Sequence, residues 1–97
     1  MTIDAEISCA ELLKSLADDT RLAVVRALMK GERHAGDLLL DLDIEQSLLS
    51  HHLRLLRDAG IVESKRDGKA MLYRLAPGVE SRRRGDIIDL GCCQLSF

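Results

Sequence analysis

The sequence lacks the marks of a membrane protein, a secreted protein and an enzyme. It has no apolar run near the roughly 18 residues that a membrane-spanning helix needs, and no basic and apolar leader follows Met1. We therefore expect a cytoplasmic protein. There is no Gly-rich phosphate loop and no Ser/His/Asp or Cys/His constellation, and one domain of 97 residues leaves little room for a cleft. Neither an enzyme nor a required cofactor is predicted.

Cysteine is scarce as well, and its count is odd. Three cysteines are too few for a disulfide framework and predict reduced thiols in a reducing compartment. The adjacent pair Cys92-Cys93 also lacks the C-x-x-C spacing and the βαβ context of a thiol oxidoreductase. The cysteines therefore do not indicate redox catalysis.

Acidic and basic residues are unevenly distributed, although the net charge is only −2. Residues 1–50 carry five basic and ten acidic side chains, whereas residues 51–84 carry nine basic and four acidic ones. Phosphate contacts depend on local clusters of positive charge. A chain that is acidic overall but basic in one half is therefore compatible with nucleic-acid binding.

The first half of the chain has the apolar spacing of three helices, and its length predicts a single domain over residues 1–97. A first helix over 4–17 would bury one apolar stripe. The stripe consists of Cys9, Leu12, Leu13 and Leu16. A second helix is predicted to about residue 30 with Asp18 as its N-cap, and a third over about 35–42. The modest core of so short a chain would be helped by dimerisation.

The stretch 46–62, QSLLSHHLRLLRDAGIV, predicts an amphipathic helix that Gly60 ends. Leu49, Leu53 and Leu56 recur at i, i+4 and i+7 and form its apolar stripe. The other faces carry hydrogen-bonding side chains and then arginines. Such groups contact base edges and phosphates when a helix enters the major groove. An ordinary solvated surface helix is the alternative for this stretch alone.

A tight link joins this helix to the one before it. Residues 43–46 have the D-x-x-Q form of a capping box, which would open the helix. Two short helices separated by such a link, the second with the polar outer face, make a helix-turn-helix. We predict this motif over about 35–59.

The sequence that follows has the pattern of a β-hairpin over about 61–76. Two runs rich in β-forming residues flank Asp67-Gly68, a dipeptide that favours a type I′ turn. Arg66 and Lys69 at the tip of this wing could reach the sugar-phosphate backbone. A charged hairpin tip is usually only solvated, but directly after a helix-turn-helix we favour DNA contact.

The last predicted element is a helix over about 79–90, after a break at Pro77-Gly78. Its apolar residues could pack against the first helix, and Gly91 would follow its end. They are Ile87, Ile88 and Leu90. The predicted fold is therefore mainly α with a small β-hairpin, a winged helix-turn-helix in the order of four helices, two strands and a fifth helix.

Three motifs together resemble those of the ArsR/SmtB family of small bacterial repressors. They are S-L-A-D-D-T-R-L at 15–22, S-L-L-S-H-H-L-R-L-L-R-D-A-G-I-V at 47–62 and R-D-G-K-A-M-L-Y-R-L at 66–75. The resemblance covers about residues 10–77. It implies a homodimeric repressor that binds an inverted-repeat operator in double-stranded DNA and releases it when a metal, metalloid or thiol-reactive signal binds. The first and last helices would form the dimer interface, with the recognition helices roughly 34 Å apart.

The resemblance also assigns roles to residues of the recognition helix. Together with the wing tip, the residues expected to contact DNA are Gln46, Ser47, Ser50, His51, Arg54, Arg66 and Lys69. Arg54 is expected to contact a phosphate. His52 lies where the family has a histidine packed inward. Because neighbours in a helix point about 100° apart, His51 and His52 are not expected to share a metal ion.

Two effector sites of the family are missing from this sequence. The Cys-x-Cys pair at the start of the third helix is replaced by His34 and Gly36 in the stretch G-E-R-H-A-G-D-L. The zinc site along the last helix uses aspartate and histidine, and here that helix offers Asp86 and Asp89 but no histidine. An effector would therefore have to bind elsewhere in this chain.

The remaining candidate ligands are Cys9, Cys92 and Cys93. If the first and last helices pack together, the three thiols could converge within or across subunits, and soft thiolates suit arsenite or antimonite, As(III) or Sb(III). Cys92 and Cys93 diverge in a helix or a strand, but Gly91 permits a turn that would close both on one ion. Alternatively, Cys9 is only a small hydrophobic residue of the first helix.

Other functions stay open at this point. A redox or persulfide sensor could join Cys9 to Cys92 or Cys93. Leu95 and Phe97 could instead mean that the tail only docks on apolar surface. A winged-helix module that binds protein is a more remote alternative, disfavoured by the polar face of the recognition helix. Strong salt dependence of DNA affinity would distinguish DNA binding from it.

Overall fold

The computed structural model describes residues 8–97 of the chain. Its elements, in order, are α1 (Cys9–Leu16), α2 (Asp19–Met29), β1 (Arg33–His34), α3 (Ala35–Leu42), α4 (Gln46–Asp58), β2 (Val62–Asp67), β3 (Ala70–Leu75), α5 (Pro77–Glu80), β4 (Ile87–Asp89) and β5 (Gln94–Ser96). The winged helix-turn-helix prediction is confirmed, since α3 and α4 are followed directly by the β2–β3 wing. The predicted start of the first helix at residues 4–7 lies outside the described residues. None of the described helices combines the length and the hydropathy of a membrane-spanning segment.

Local capping explains where α2 begins and where α4 ends. The Asp18 carboxylate accepts a hydrogen bond from the Arg21 N–H at 3.0 Å, as predicted for the N-cap of α2. At the end of α4, the Gly60 N–H donates to the Arg57 carbonyl and the Ile61 N–H to the Leu56 carbonyl, both at 3.0 Å. This is a Schellman motif, and the φ of 78° at Gly60 suits a residue without a Cβ.

The predicted capping box before α4 is wrong. Asp43 ends α3 instead, with a left-handed backbone (φ 51°, ψ 53°) and its N–H bonded to the Leu39 carbonyl. The N-cap of α4 is Glu45, whose side chain makes no capping hydrogen bond. The tight link needs one left-handed residue to turn the chain, and aspartate tolerates that conformation better than most residues.

The core gathers one face from each helix and one from the wing. Its buried apolar members are Leu12, Leu16, Val24, Val25, Leu28, Leu38, Leu49, Leu53, Leu56, Ala59, Ile61, Val62, Tyr73, Leu75, Val79, Ile88 and Leu90. The predicted stripe of α4 is confirmed. In α1, however, Leu13 is 42% exposed, so the predicted four-residue stripe is narrower than expected.

The wing pairs in one register from Val62↔Leu75 to Asp67↔Ala70. Asp67 is therefore the last strand residue, and the two-residue loop is Gly68-Lys69, one position later than predicted. Gly68 has a φ of 64°, which suits the first central position of a tight hairpin turn. The sequence also missed β1, which adds two residues to the free edge of β3. Two residues are too few for a recognisable strand pattern.

The predicted last helix over 79–90 is wrong. Only the four residues of α5 are helical, and the chain then forms a second hairpin from β4 and β5, with Ile88 opposite Leu95. Gly85 interrupts any continuing helix with a φ of 59°. Ile88 and Leu90 are buried at 1% and 0% exposure, which is the period-2 burial of a strand. Gly91 lies in the turn of this C-terminal hairpin, not behind a helix.

Candidate nucleic-acid interface and cysteine cluster

The outward face of α4 presents every side chain that the sequence assigned to DNA recognition on this helix. Leu49, His52, Leu53 and Leu56 are buried and turn the helix so that the opposite face is open. The exposed residues are Gln46, Ser47, Ser50, His51 and Arg54. None of these side chains has a hydrogen bond or ion pair to another residue within 8–97, so their polar groups are available to a ligand.

Beneath this face, His52 anchors α4 to the rest of the domain. The ring is 7% exposed, and its Nδ1 lies 3.0 Å from Nη1 of Arg21 and 3.9 Å from Oδ1 of Asp18. The expectation that His52 packs inward is confirmed. The pKa of Asp18 is lowered, chiefly by the hydrogen bond from the Arg21 N–H. Desolvation opposes this shift, and the nearby His52 and Arg21 side chains lower the pKa further.

Arg21 extends this network to α1. Its Nε donates to the Ser15 carbonyl at 2.6 Å, and Nη2 lies 3.5 Å from the Lys14 carbonyl. These carbonyls belong to the last turn of α1, where that of Lys14 also accepts the Ala17 N–H at 3.2 Å. One guanidinium therefore connects the end of α1 to His52 of the recognition helix. No local sequence pattern indicates this contact, because Arg21 and His52 are 31 residues apart.

The wing carries the second group of predicted DNA contacts. Arg66 and Lys69 are both exposed at the hairpin tip. Asp67 between them is bonded to His34, with Nε2 of the ring 2.8 Å from Oδ2 of the carboxylate. His34, which precedes α3, was considered in the sequence only as a replacement for a cysteine. The structure shows instead that it links the tip of the wing to the start of the helix-turn-helix.

The three cysteines meet at the opposite end of α1 from Arg21. Cys9 and Cys92 form a disulfide with a Cα separation of 5.7 Å, and Cys93 is free and half-buried. The Sγ of Cys93 lies 3.7 Å from that of Cys92, and all three sulfurs lie within 4.8 Å of one another. The structure thus brings together the three predicted ligands. The expectation that all thiols are reduced is wrong for this structure, since two of them are joined.

The turn of the C-terminal hairpin resolves the geometric difficulty posed by adjacent cysteines. Gly91 has a φ of 90° and its N–H donates to the Asp89 carboxylate at 2.7 Å, while the Leu90 N–H donates to the Cys93 carbonyl at 2.9 Å. The chain therefore reverses between Leu90 and Cys93. In this turn both adjacent side chains lie on the side of Cys9, which neither a helix nor a straight strand would allow.

The helix-turn-helix region of this chain matches a known protein family. The sequence profile described as "Bacterial regulatory protein, arsR family" matches residues 18–64, from the N-cap of α2 into β2. The matched region contains the complete helix-turn-helix but neither Cys9 nor the C-terminal hairpin.

Several curated relatives are similar to this chain. The biofilm growth-associated repressor of Xylella fastidiosa is 36% identical over 85 residues, covering 88% of this chain and 75% of the relative. That of Agrobacterium fabrum is 45% identical over 73 residues, covering 75% and 62%. The arsenical resistance operon repressor of Escherichia coli is 43% identical over 70 residues, covering 71% and 60%. The chain spans between half and two thirds of the first relatives that it matches, from 51% to 62%.

Solved structures agree with the fold. The crystal structure of Mycobacterium tuberculosis Rv0081 is 40% identical with a TM-score of 0.70, covering 74% of this chain and 73% of that one. The homodimeric winged helix-turn-helix DNA-binding domain of Mycobacterium bovis Mb0332 is 27% identical with a TM-score of 0.70, covering 81% and 82%.

Proposed function

The chain belongs to the arsR family of bacterial regulatory proteins, and from this membership we propose that it is a DNA-binding transcriptional repressor of the cytoplasm. The observation that carries the proposal is the open face of α4, whose polar side chains have no hydrogen-bond or ion-pair partners within the described residues. Relatives named as repressors support it, and none of those compared above is named as an enzyme.

In this proposal α4 enters the major groove. The first two turns of the helix face base edges, and their amide, hydroxyl and ring nitrogen groups can exchange hydrogen bonds with the bases. The residues that carry these groups are Gln46, Ser47, Ser50 and His51. Arg54, one turn further along, contacts a phosphate. Arg66 and Lys69 of the wing hold the neighbouring sugar-phosphate backbone. The contacts with the sugar-phosphate backbone determine orientation and affinity, and the contacts with base edges determine sequence specificity.

We further propose a homodimer on an inverted-repeat operator. The homodimeric Mycobacterium bovis neighbour supports this assembly. Two copies of α4 would then read half-sites about 34 Å apart. The last helix that the sequence placed in the interface does not exist, so α1 and the C-terminal hairpin are the remaining candidates. Leu13 of α1, which is 42% exposed, offers apolar surface for such a contact.

The proposed effector is a thiophilic species that binds the cysteine cluster and releases DNA. Three sulfurs suit trigonal As(III) or Sb(III), and a relative named for arsenical resistance supports arsenite. A redox or persulfide signal is the second candidate, and the Cys9–Cys92 disulfide favours it. Either signal has a physical route to DNA, because α1 begins at Cys9 and ends at the carbonyls that bind Arg21, which in turn holds His52 of α4.

The DNA-binding proposal is tested by the salt dependence of affinity. Binding of the reduced protein to DNA from upstream of its own gene should weaken linearly on a log–log plot against salt. Arg54→Ala should weaken binding to all sequences and reduce the slope by about one. Arg26→Ala is the matched control, since it removes the same charge from α2 beside Phe97. A slope near zero for the unmodified protein would contradict DNA binding and favour a protein partner.

A further inference from the structure

The cysteine cluster is complete within one chain, which limits how it can bind a ligand. Cys9 comes from the first turn of α1, and Cys92 and Cys93 from the turn of the C-terminal hairpin of the same chain. With metal–sulfur bonds of about 2.3 Å, three sulfurs around one ion lie about 4 Å apart. The sulfurs here lie within 4.8 Å of one another. No ligand from a second subunit is needed to complete a three-sulfur site.

Two of the same sulfurs form a disulfide, and a sulfur in a disulfide cannot also bind an ion as a thiolate. A thiophilic ion is bound by thiolates, and a disulfide sulfur is no longer a thiolate. With Cys9 and Cys92 joined, only Cys93 remains as a ligand. One thiolate gives neither the trigonal geometry nor the chelation that a three-coordinate ion requires. Oxidation must therefore abolish the metalloid site.

The disulfide and a bound ion would each tie α1 to the C-terminal hairpin. The disulfide joins residues 83 positions apart and ties the N-terminus of α1 to the C-terminal hairpin. An ion held by Cys9 together with Cys92 and Cys93 would tie the same two elements at the same place. Only the reduced and ligand-free protein lacks this tether.

We infer that the cluster is a single intrachain switch with two mutually exclusive inputs, three-thiolate binding of an arsenite-like ion and two-electron oxidation to the Cys9–Cys92 disulfide. This inference rests on the proposed effector site. Arsenite binding releases water, as As(OH)3 and three thiols give the tris-thiolate and three H2O. In the oxidation, hydrogen peroxide takes two electrons and two protons from the two thiols and becomes two H2O. A low-molecular-weight thiol reverses it by disulfide exchange. The exposed Cys92 is accessible to these small reagents.

Cys93 distinguishes the two inputs, because it is a ligand in one and a bystander in the other. Cys93→Ser should still form the disulfide but bind arsenite at least about tenfold more weakly. It should also keep its affinity for phenylarsine oxide, which needs only two thiolates, and this control shows that Cys9 and Cys92 still lie together. Cys9→Ser should lose disulfide formation and weaken arsenite binding. The effects on arsenite binding are read by equilibrium dialysis and the disulfide by non-reducing electrophoresis.

The test uses the full chain without DNA, so that a failure of the repressor proposal cannot be confused with a failure of this one. Native mass spectrometry should show one arsenic per reduced chain and none on the peroxide-oxidised chain. Oxidised protein that binds arsenite as tightly as reduced protein would overturn the inference, and so would Cys93→Ser with unchanged arsenite affinity. Mixing Cys9→Ser with Cys92→Ser/Cys93→Ser protein tests the intrachain site, since restored binding in mixed dimers would show that the ligands come from two subunits.

Discussion

The wing and the C-terminal hairpin are both two-stranded antiparallel ribbons, but different interactions hold them to the domain. The wing has six residues in each strand, a third strand beside it, and Val62, Tyr73 and Leu75 in the core. The C-terminal hairpin has three residues in each strand and contributes fewer core residues, with Ile88 of β4 and Leu90 just after it. It has a disulfide to α1 in addition.

This difference separates a part of the molecule that is fixed by packing from a part whose attachment depends on sulfur chemistry. A short isolated hairpin is only marginally stable in water, so the covalent bond matters more for the C-terminal hairpin than any single contact matters for the wing. The part fixed by packing presents the DNA-binding groups, and the part fixed by sulfur carries the proposed effector site. Each can therefore be perturbed without removing the other.

The largest expected effect comes from breaking the disulfide. Closing a loop of 83 residues stabilises the folded state by roughly 4 kcal/mol in the chain-entropy account, so Cys9→Ser should lower the free energy of unfolding by about that amount relative to the oxidised protein. Urea denaturation measures it, with Cys93→Ser as the control. In hydrogen exchange, the Leu90 and Phe97 amides should lose protection while those of the wing keep it. Equal loss in both ribbons would contradict the comparison.

Truncation of core residues compares the two ribbons directly. Leu90→Ala and Leu75→Ala each remove a nearly fully buried leucine and should each cost about 3 kcal/mol in the oxidised protein. In the reduced protein the cost of Leu90→Ala should fall, because the C-terminal hairpin is then already loosened, whereas that of Leu75→Ala should not change. Urea denaturation of both variants in both redox states provides the measurement. An equal change for both variants, in the loss of unfolding free energy on reduction, would contradict the difference between the two ribbons.

Asp18→Ala measures how much the part fixed by packing depends on a single helix cap. Loss of this N-cap should lower the free energy of unfolding by about 1 kcal/mol. The pKa of Asp18 is lowered on folding from its ordinary value of 3.8, so the carboxylate stabilises the fold above that pH. The difference in the free energy of unfolding between the unmodified protein and Asp18→Ala should therefore shrink as the pH falls below about 4 and through the lowered pKa. A cost that persists unchanged at low pH would show that it does not come from the charged cap.

The smallest expected effect concerns the contact between His34 and the tip of the wing. The pair is exposed, so His34→Ala should change the free energy of unfolding by less than about 1 kcal/mol. Its effect on DNA affinity should be larger than its effect on stability, because Asp67 lies between Arg66 and Lys69. Asp67→Ala provides a second variant without the contact, and it also removes a negative charge next to DNA. Unchanged affinity in His34→Ala would show that the wing needs no such support.

The same two regions differ in how well the sequence predicts them. The helix-turn-helix and the wing were predicted because their apolar spacing has one period over many residues, as in the stripe of α4. The C-terminal hairpin was not, because Ile87, Ile88 and Leu90 fit a helical face as well as a strand. Gly85 and Gly91 were the available signals against a helix, and both have positive φ.

Prediction from the sequence has the same limits for the residues of the DNA interface and of the cysteine cluster. Every predicted DNA contact is exposed on α4 or the wing, since the burial of one helix face determines the opposite one. The meeting of the three cysteines was also predicted, although through a helix that does not exist. The contacts of Arg21 with His52 and of His34 with Asp67 were not, because each joins side chains more than 30 residues apart that no local pattern connects.

The most direct test of the account is fluorescence anisotropy of the fully reduced protein on DNA from upstream of its own gene, under anaerobic conditions, before and after arsenite. We expect binding that is tighter than to random DNA of the same length, falls with salt, and is released by one arsenite per chain. Equal affinity for upstream and random DNA, with no release by either arsenite or peroxide, would contradict a repressor controlled by its cysteine cluster.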